Sequence, residues 1–298
     1  MIEKPGTFLF KAMGGPCRLT LITDKSGQAT QVCREIEQEV RRLESKYSRF
    51  RSDSLLSRMN RGELNGVPLD KETQGILNYI RQVYESSEGL FDPTVGVLRE
   101  AWDFSSQQIP DREQIDILKH RLGWQKVKWD GTAVQMPENM ALDLGGVVKE
   151  FAADRAKAIL QKNGISGLIN LAGDIVVSGS PENSQNWSVA VRHPRRSGAF
   201  ATIQVGQGAV AGSGDYERYV ECQGRRYCHI LRPDTGFPAT DGLVSVTVLA
   251  NNCLLAGTIS TVAMLKGADG VNWLNEMGMP YLAIDQQLKP YGSIEVIE

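Results

Sequence analysis

The chain is predicted to be an α+β protein whose helices flank mainly antiparallel sheets. Three observations carry that class. Apolar residues recur at helical spacing through residues 32–84, short strand-like runs take over from about residue 124, and two further helical stretches, 148–162 and 253–266, lie among those strands.

Each element has its own cause. Arg18-Leu-Thr-Leu-Ile-Thr23 alternates as a half-buried strand does and runs into the turn signal Asp24-Lys-Ser-Gly27. Val32, Ile36, Val40, Leu43 and Tyr47 then form one apolar stripe of a helix. Ser52 or Asp53 is placed to cap a short helix that follows. Ile76, Ile80, Val83 and Tyr84 mark a second long helix closed by Gly89, and Phe91-Asp-Pro-Thr94 breaks helical geometry because proline restricts the residue before it. Strands are expected at Val127-Lys-Trp, Val134-Gln-Met and Met140 to Leu144. A helix over Val148–Lys162, ended by Gly164, leads to a buried strand at Leu168-Ile-Asn-Leu171. Strand, helix and strand at this spacing predict a crossover unit. Further strands are expected at Trp187–Arg192, Phe200–Val205 and Val244–Leu249, with a last helix at Cys253–Lys266.

Composition narrows the function classes. At 298 residues the chain can bury a sizeable core, as one large domain or two intimate ones. Lys and Arg total 33 against 35 Asp and Glu without long runs of one sign, which argues against nucleic acid or an anionic membrane as the main partner. No stretch approaches the ~20 apolar residues of a membrane span, and the start lacks the pattern of a secretory signal. Cys17, Cys33, Cys222, Cys228 and Cys253 make an odd count without Cys-x-x-Cys spacing, so a disulfide scaffold or structural zinc is not expected. A cytoplasmic, reduced protein is the expectation.

The most informative stretch is Met140-Ala-Leu-Asp-Leu-Gly-Gly-Val-Val-Lys-Glu-Phe-Ala-Ala-Asp154. An apolar run ends in Asp143, two glycines follow, and a helix begins with Lys149 in its first turn. Glycines allow close backbone approach and a helix start attracts anions, so this is a candidate pyrophosphate seat as well as a candidate tight turn. Asp92 suits an Asx-turn before proline, Asp174 a cap or turn, and Asp215 with Glu217 either a site or an edge-strand charge pair. His229, one of three histidines, precedes the turn of Ile230-Leu-Arg-Pro-Asp-Thr-Gly236, and imidazole is the side chain suited to general-base work near neutrality.

Met13-Gly14, Ser54-Leu-Leu-Ser-Arg-Met-Asn60, Phe91-Asp-Pro-Thr-Val-Gly96, Asp143-Leu-Gly-Gly-Val-Val-Lys149, Leu168-Ile-Asn-Leu-Ala-Gly-Asp174, Ser213-Gly-Asp-Tyr-Glu-Arg-Tyr219, His229-Ile-Leu-Arg-Pro-Asp-Thr-Gly236 and Ala256-Gly-Thr-Ile-Ser-Thr261 follow one another in this chain. In this order they resemble the ApbE family, the FAD:protein FMN transferases. The resemblance covers about residues 12–290 and implies one ApbE-like domain over 1–298. It implies an enzyme that binds FAD and, with Mg²⁺, passes FMN to a Ser or Thr hydroxyl of a target flavoprotein while AMP leaves. By the same resemblance Met13, Leu90, Phe91, Asp92, Asp143, Lys149 and Ile230 line the FAD site, Tyr47 stacks on the flavin, and His229 is the base. The Gly146 carbonyl and Thr261 lie at the metal.

The chain departs from the family at several points. The family's last helix usually reads Ala-Asp-x-x-Ser-Thr with the Asp a metal ligand, and Gly257 stands at that position. Mg²⁺ favours anionic oxygen, which glycine does not supply; Thr258 or a nearby acid are candidate substitutes. In the His loop Arg232 and Asp234 have traded places relative to the family pattern, which leaves room for an ion pair of reversed polarity. Ala172 and Glu150 both stand where a glycine is common, and Glu150 would oppose anion binding if it points inward. Besides the transferase, a non-catalytic FAD-binding protein with an eroded metal site and an FAD pyrophosphatase stay open.

Overall fold

Side-chain alternation and turn chemistry build a large antiparallel sheet covered by helices on one face. The structure, a computed structural model, describes residues 6–23, 26–106, 108–181 and 186–297, so Asp24 and Lys25 of the expected first turn lie outside the described residues. Strand β1 (Gly6–Ala12) pairs with β2 (Gly15–Ile22) around Met13 and Gly14, both at positive φ. Along β2, Cys17, Leu19 and Leu21 turn inward and Arg18 outward, as period-two patterning requires. Helix α1 (Ser26–Lys46) buries Val32, Ile36, Val40 and Leu43, the predicted stripe.

Helix α2 (Leu55–Asn60) is capped by Ser54, whose hydroxyl accepts from the Ser57 amide, and not by Ser52 or Asp53. Asp70 caps α3 (Lys71–Ser86) in the same way. A 3₁₀ turn spans Pro93–Glu100, followed by α4 (Arg112–Lys119) and the short hairpin of β3 (Lys128–Trp129) with β4 (Val134–Gln135). Helix α5 (Val148–Lys162) leads into β5 (Ser166–Leu171) and β6 (Asp174–Val177). Then come β7 (Trp187–Arg192), β8 (Ala199–Val205), β9 (Gly208–Gly214), β10 (Tyr219–Cys222), β11 (Arg225–Cys228) and β12 (Leu243–Ala250). The chain ends with α6 (Cys253–Lys266), α7 (Gly270–Met277), β13 (Tyr281–Asp285), β14 (Pro290–Gly292) and β15 (Val296–Ile297).

The main sheet has the order β1-β2-β5-β6-β9-β12-β13-β14, and every neighbouring pair is antiparallel. Helices α1, α5 and α6 cover one face, where Leu19, Ile36, Val40, Ala156, Ile169 and Val246 share the main core. On the other face Ile175, Val177 and Val210 meet Val189, Val191, Ile203 and Val205 of the smaller β15-β8-β7 sheet. Trp102, Leu98, Ile115 and Leu231 form a satellite cluster beside α4. The fold is α+β, as predicted. Among the described residues no helix is long and apolar enough to cross a membrane.

Two expectations about residues 140–171 are corrected. Met140 to Leu144 forms no regular secondary structure and joins no sheet. Its polar backbone is satisfied elsewhere: Asn60 accepts from the Leu142 amide at 2.8 Å and donates to the Leu142 carbonyl at 3.0 Å, and the Asp143 amide donates to Pro93 O at 2.7 Å. With side-chain and loop partners supplying these bonds, no neighbouring strand is needed. The crossover unit therefore does not exist, since α5 is entered from a loop and both neighbours of β5 are antiparallel.

Candidate active site

The acid before the double glycine anchors one wall of a cavity of about 500 Å³. Asp143 Oδ2 accepts from Arg49 Nη1 at 2.6 Å and Arg99 Nε at 2.9 Å, while Oδ1 accepts from the Gly145 amide at 2.8 Å. Burial alone would raise this carboxyl, but Arg99 and Arg49 outweigh it and hold it below the usual range. The close fit requires Gly96, where an added Cβ would meet Asp143 Cβ at 2.9 Å. Phe50, Trp102, Phe104 and Arg218 complete an aromatic and cationic lining. Phe50 is 84% exposed, with the Arg49 guanidinium 4.5 Å from its ring centre. A large exposed ring at a cavity mouth is a ready stacking surface.

His229 follows the end of β11, half-buried and edge-on to Phe104 at 6.5 Å. Its Nδ1 lies 3.3 Å from the Arg218 carbonyl, which can only accept, so Nδ1 carries the proton and Nε2 keeps its lone pair. Burial pushes its pKa down to about 4, helped by the charges of Arg218, Arg99 and Lys149. The imidazole is therefore neutral at pH 7 and lies in the positive field of Arg218, Arg99 and Lys149, a setting that favours an anion and leaves Nε2 able to accept a proton.

Behind Lys149 the first turn of α5 meets α6. Lys149 Nζ lies 2.8 Å from Asp174 Oδ2 as an ion pair without hydrogen-bond alignment. Burial would lower the Lys149 pKa, but Asp174 and Glu150 outweigh it and keep the ammonium charged. Glu150 is 7% exposed and Asp174 2%; burial pushes both carboxyls up, and the charge of Asp174 adds to the rise at Glu150. Glu150 Oε2 has no hydrogen-bond partner. An ideal Cβ on Gly257 would meet Glu150 Cγ at 2.5 Å, so the Glu150 side chain fills the space beside that glycine. One helical turn on, Thr261 Oγ1 lies 3.0 Å from Ser213 Oγ, which also meets Ser260 Oγ at 2.9 Å. Thr258 faces elsewhere, bonded to Tyr79 at 2.7 Å and to Leu254 O.

The remaining sequence-derived residues are distributed unevenly. Phe91 is buried, its ring 3.6 Å from where a Gly146 Cβ would stand. Gly146 itself is exposed at the mouth of α5, and Met13, Leu90 and Ile230 are half-buried. Met13 N donates to Glu44 Oε1 at 2.6 Å. Asp92 is 6% exposed and spends its carboxylate on Thr94 and the Trp124 amide, the Asx cap of the 3₁₀ turn. Tyr47 is not brought to the cavity. Its ring is buried and its hydroxyl bonds Thr73 at 2.9 Å, leaving no face for a ligand. Phe50, Arg99 and Arg218 carry no strong local signal: Arg218 sits within the Ser213–Tyr219 segment, and Arg99 lies three residues beyond Gly96. The Arg232–Asp234 pair does form, with Arg232 also donating to Leu265 O near the end of α6 at 3.0 Å. Asp215 is a structural partner of Arg195, bidentate at 2.6 and 2.8 Å.

Fold and site together define an antiparallel α+β protein with an arginine-lined aromatic cavity and a histidine packed against one of its rings. The ApbE family model matches residues 13–283, and the chain belongs to the ApbE family. It is 30% identical over 275 residues to the FAD:protein FMN transferase of Vibrio cholerae serotype O1, covering 87% of this chain and 81% of that protein. The FAD:protein FMN transferase of Escherichia coli K12 is 28% identical over 273 residues, covering 87% and 78%. Among solved structures, the ApbE protein of Thermotoga maritima MSB8 superposes with a TM-score of 0.86 at 30% identity, covering 99% of this chain and 97% of that one. The flavin transferase ApbE from Vibrio cholerae gives 0.86 at 26% identity, covering 98% and 97%.

Proposed function

We propose that this chain is an FAD:protein FMN transferase that moves FMN from FAD to a Ser or Thr hydroxyl of a target flavoprotein. The observation that carries the proposal is His229, neutral, with Nε2 free and in the positive field of Arg218, Arg99 and Lys149. Those cations suit a pyrophosphate, and the aromatic cavity suits an isoalloxazine or adenine ring. Met13, Leu90, Phe91, Asp92, Asp143, Lys149 and Ile230 are the proposed FAD contacts, with Phe50 in place of Tyr47 as the stacking ring. In the reaction the acceptor oxygen bonds the FMN phosphorus, the bond to the AMP oxygen breaks, and His229 Nε2 takes the hydroxyl proton. AMP departs with the bridging oxygen. Lys149 and the two arginines stabilise the equatorial oxygens as charge redistributes.

Mg²⁺ is the proposed cofactor, held near the Gly146 carbonyl and Thr261. Bound there it would neutralise charge on the pyrophosphate and on the leaving AMP. The unpaired buried Oε2 of Glu150 fits a cation-binding role in this corner. The five cysteines are free, in keeping with the proposed cytoplasmic setting.

The test is incubation with FAD, Mg²⁺ and a flavoprotein carrying a Ser/Thr acceptor motif, read by intact mass and AMP release. A mass gain of one FMN with AMP supports the proposal, and His229→Ala should lose the transfer while retaining FAD. AMP without labelling would favour the pyrophosphatase. FAD binding with neither product would favour the non-catalytic protein.

A further inference from the structure

We propose that Glu150, on α5, supplies the anionic oxygen for a divalent cation that the family takes from α6, so that the cation seat is relocated across the helix pair and not lost. The inference rests on the proposed function for the presence of a cation, and on this chain's residues for its ligand. Gly257 leaves the α6 position without a side chain, and the space beside it holds the Glu150 side chain, with Cδ and Oε1 both 3.1 Å from an ideal Gly257 Cβ. The acid thus arrives from α5 at the place that α6 vacates.

Three further observations point to a ligand. Glu150 Oε2 is buried with no hydrogen-bond partner beyond the neighbouring acid Asp174, and a cation seated there would replace the proton that the two carboxyls otherwise share. Asp174 is buried beside it and also bears on Glu150 electrostatically, and Lys149 is the one cation paired to either acid among the described residues. Lys149 is paired to Asp174 alone, so among the described residues Glu150 has no cation of its own in this corner. Thr261 stands one turn from Gly257 on the same face of α6, its Oγ1 joined to Ser213 on β9. Among the described residues no three His, Cys, Asp or Glu side chains gather as a ready cage. That suits Mg²⁺, which is bound through one or two carboxylates plus neutral oxygens and substrate phosphates. Thr258 is excluded as the substitute by its bonds to Tyr79 and Leu254.

The experiment measures cation binding directly on the intact protein with FAD present, by Mn²⁺ electron paramagnetic resonance, Mg²⁺ competition and Mg²⁺-dependent melting. Glu150→Gln keeps the volume and removes the charge. It should weaken Mn²⁺ at least tenfold and abolish the Mg²⁺-induced rise in Tm, while melting without metal at or above the temperature of the unaltered protein. A merely structural glutamate would not give that combination. The exchange variant Glu150→Gly/Gly257→Asp should recover the affinity. Unaltered Mn²⁺ binding in Glu150→Gln overturns the inference, as does an exchange variant that binds Mn²⁺ when the original chain does not. Because flavin transfer is not the readout, tight Mn²⁺ binding that depends on Glu150 without any transfer would support the seat and refute the transferase instead.

Discussion

Gly257→Ala should destabilise the native chain but stabilise a chain that carries Glu150→Ala. In an isolated helix alanine is favoured over glycine by about 1 kcal/mol. Here the new Cβ would sit 2.5 Å from Glu150 Cγ, and Cγ is the inner part of a side chain only 7% exposed, with no free path outward. Forcing a methyl group into a packed site costs roughly 1–3 kcal/mol. The difference is a net loss of about 1 kcal/mol in the native background. With Glu150→Ala the obstructing atoms are gone, the overpacking vanishes, and the helix preference of about 1 kcal/mol should appear alone.

The sign reversal amounts to a coupling of about 2 kcal/mol between positions 150 and 257, well above the few tenths seen for independent sites. Urea unfolding of the two single variants and the double, in chelator so that no cation contributes, measures it from the midpoints at constant m-value. If Gly257→Ala is stabilising in both backgrounds, Glu150 does not occupy the space beside Gly257, and the argument for a transferred acid fails with it.

Other consequences follow from single residues. In the ligand-free protein the His229 Cε1 proton, assigned by its loss in His229→Gln, should titrate near pH 4. Its folded pKa lies below the unfolded value of about 6.5, so the unfolded chain binds the extra proton and stability falls as pH drops from about 6.5 toward 4; a midpoint near 6.5 would refute the burial argument. Phe50→Ala should leave the melting temperature nearly unchanged, because the ring is 84% exposed, yet weaken FAD by about tenfold, in line with roughly 1–3 kcal/mol per stacked ring. Unchanged FAD affinity would remove Phe50 from the site. Ala172 holds φ at 50°, a left-handed conformation costing about 1–2 kcal/mol for a residue with a Cβ. Ala172→Gly should therefore raise stability by about 1 kcal/mol after the glycine entropy penalty, checked by calorimetry.

Elements with a strong local cause were legible from sequence. The stripe of α1 and the apolar positions of α5 come from periodicity, and Gly164, at positive φ, marks a stop that local chemistry explains. Met140 to Leu144 misled because an apolar run reports burial and not pairing; the partners that make it a loop, Asn60 and Pro93, lie far along the chain. Helices α4 and α7 passed unread, as each is only eight residues long and shows too few repeats of its stripe. Strand β9 has small residues and glycines in place of alternation. The burial of Tyr47, expected as a flavin-stacking ring, has a related reason. Helix α1 ends at Lys46, so Tyr47 finishes the buried stripe while the chain beyond leaves the helix and turns Phe50 outward.

The two substitutions that look most damaging in sequence are best explained as halves of one change. Gly257 alone would leave an unfilled space in a buried helix and no acid for the proposed cation. Glu150 alone, with an acid still at 257, would bring a second carboxylate into a space where even a bare Cβ stands 2.5 Å from its Cγ. Steric exclusion and like-charge repulsion both forbid that state. Together they balance volume and charge, since the Glu150 side chain fills the space beside Gly257, with Asp174 and Lys149 paired next to it. Local sequence comparison scores the pair as two losses because the residues are 107 positions apart; only the packing of α5 against α6 makes them neighbours.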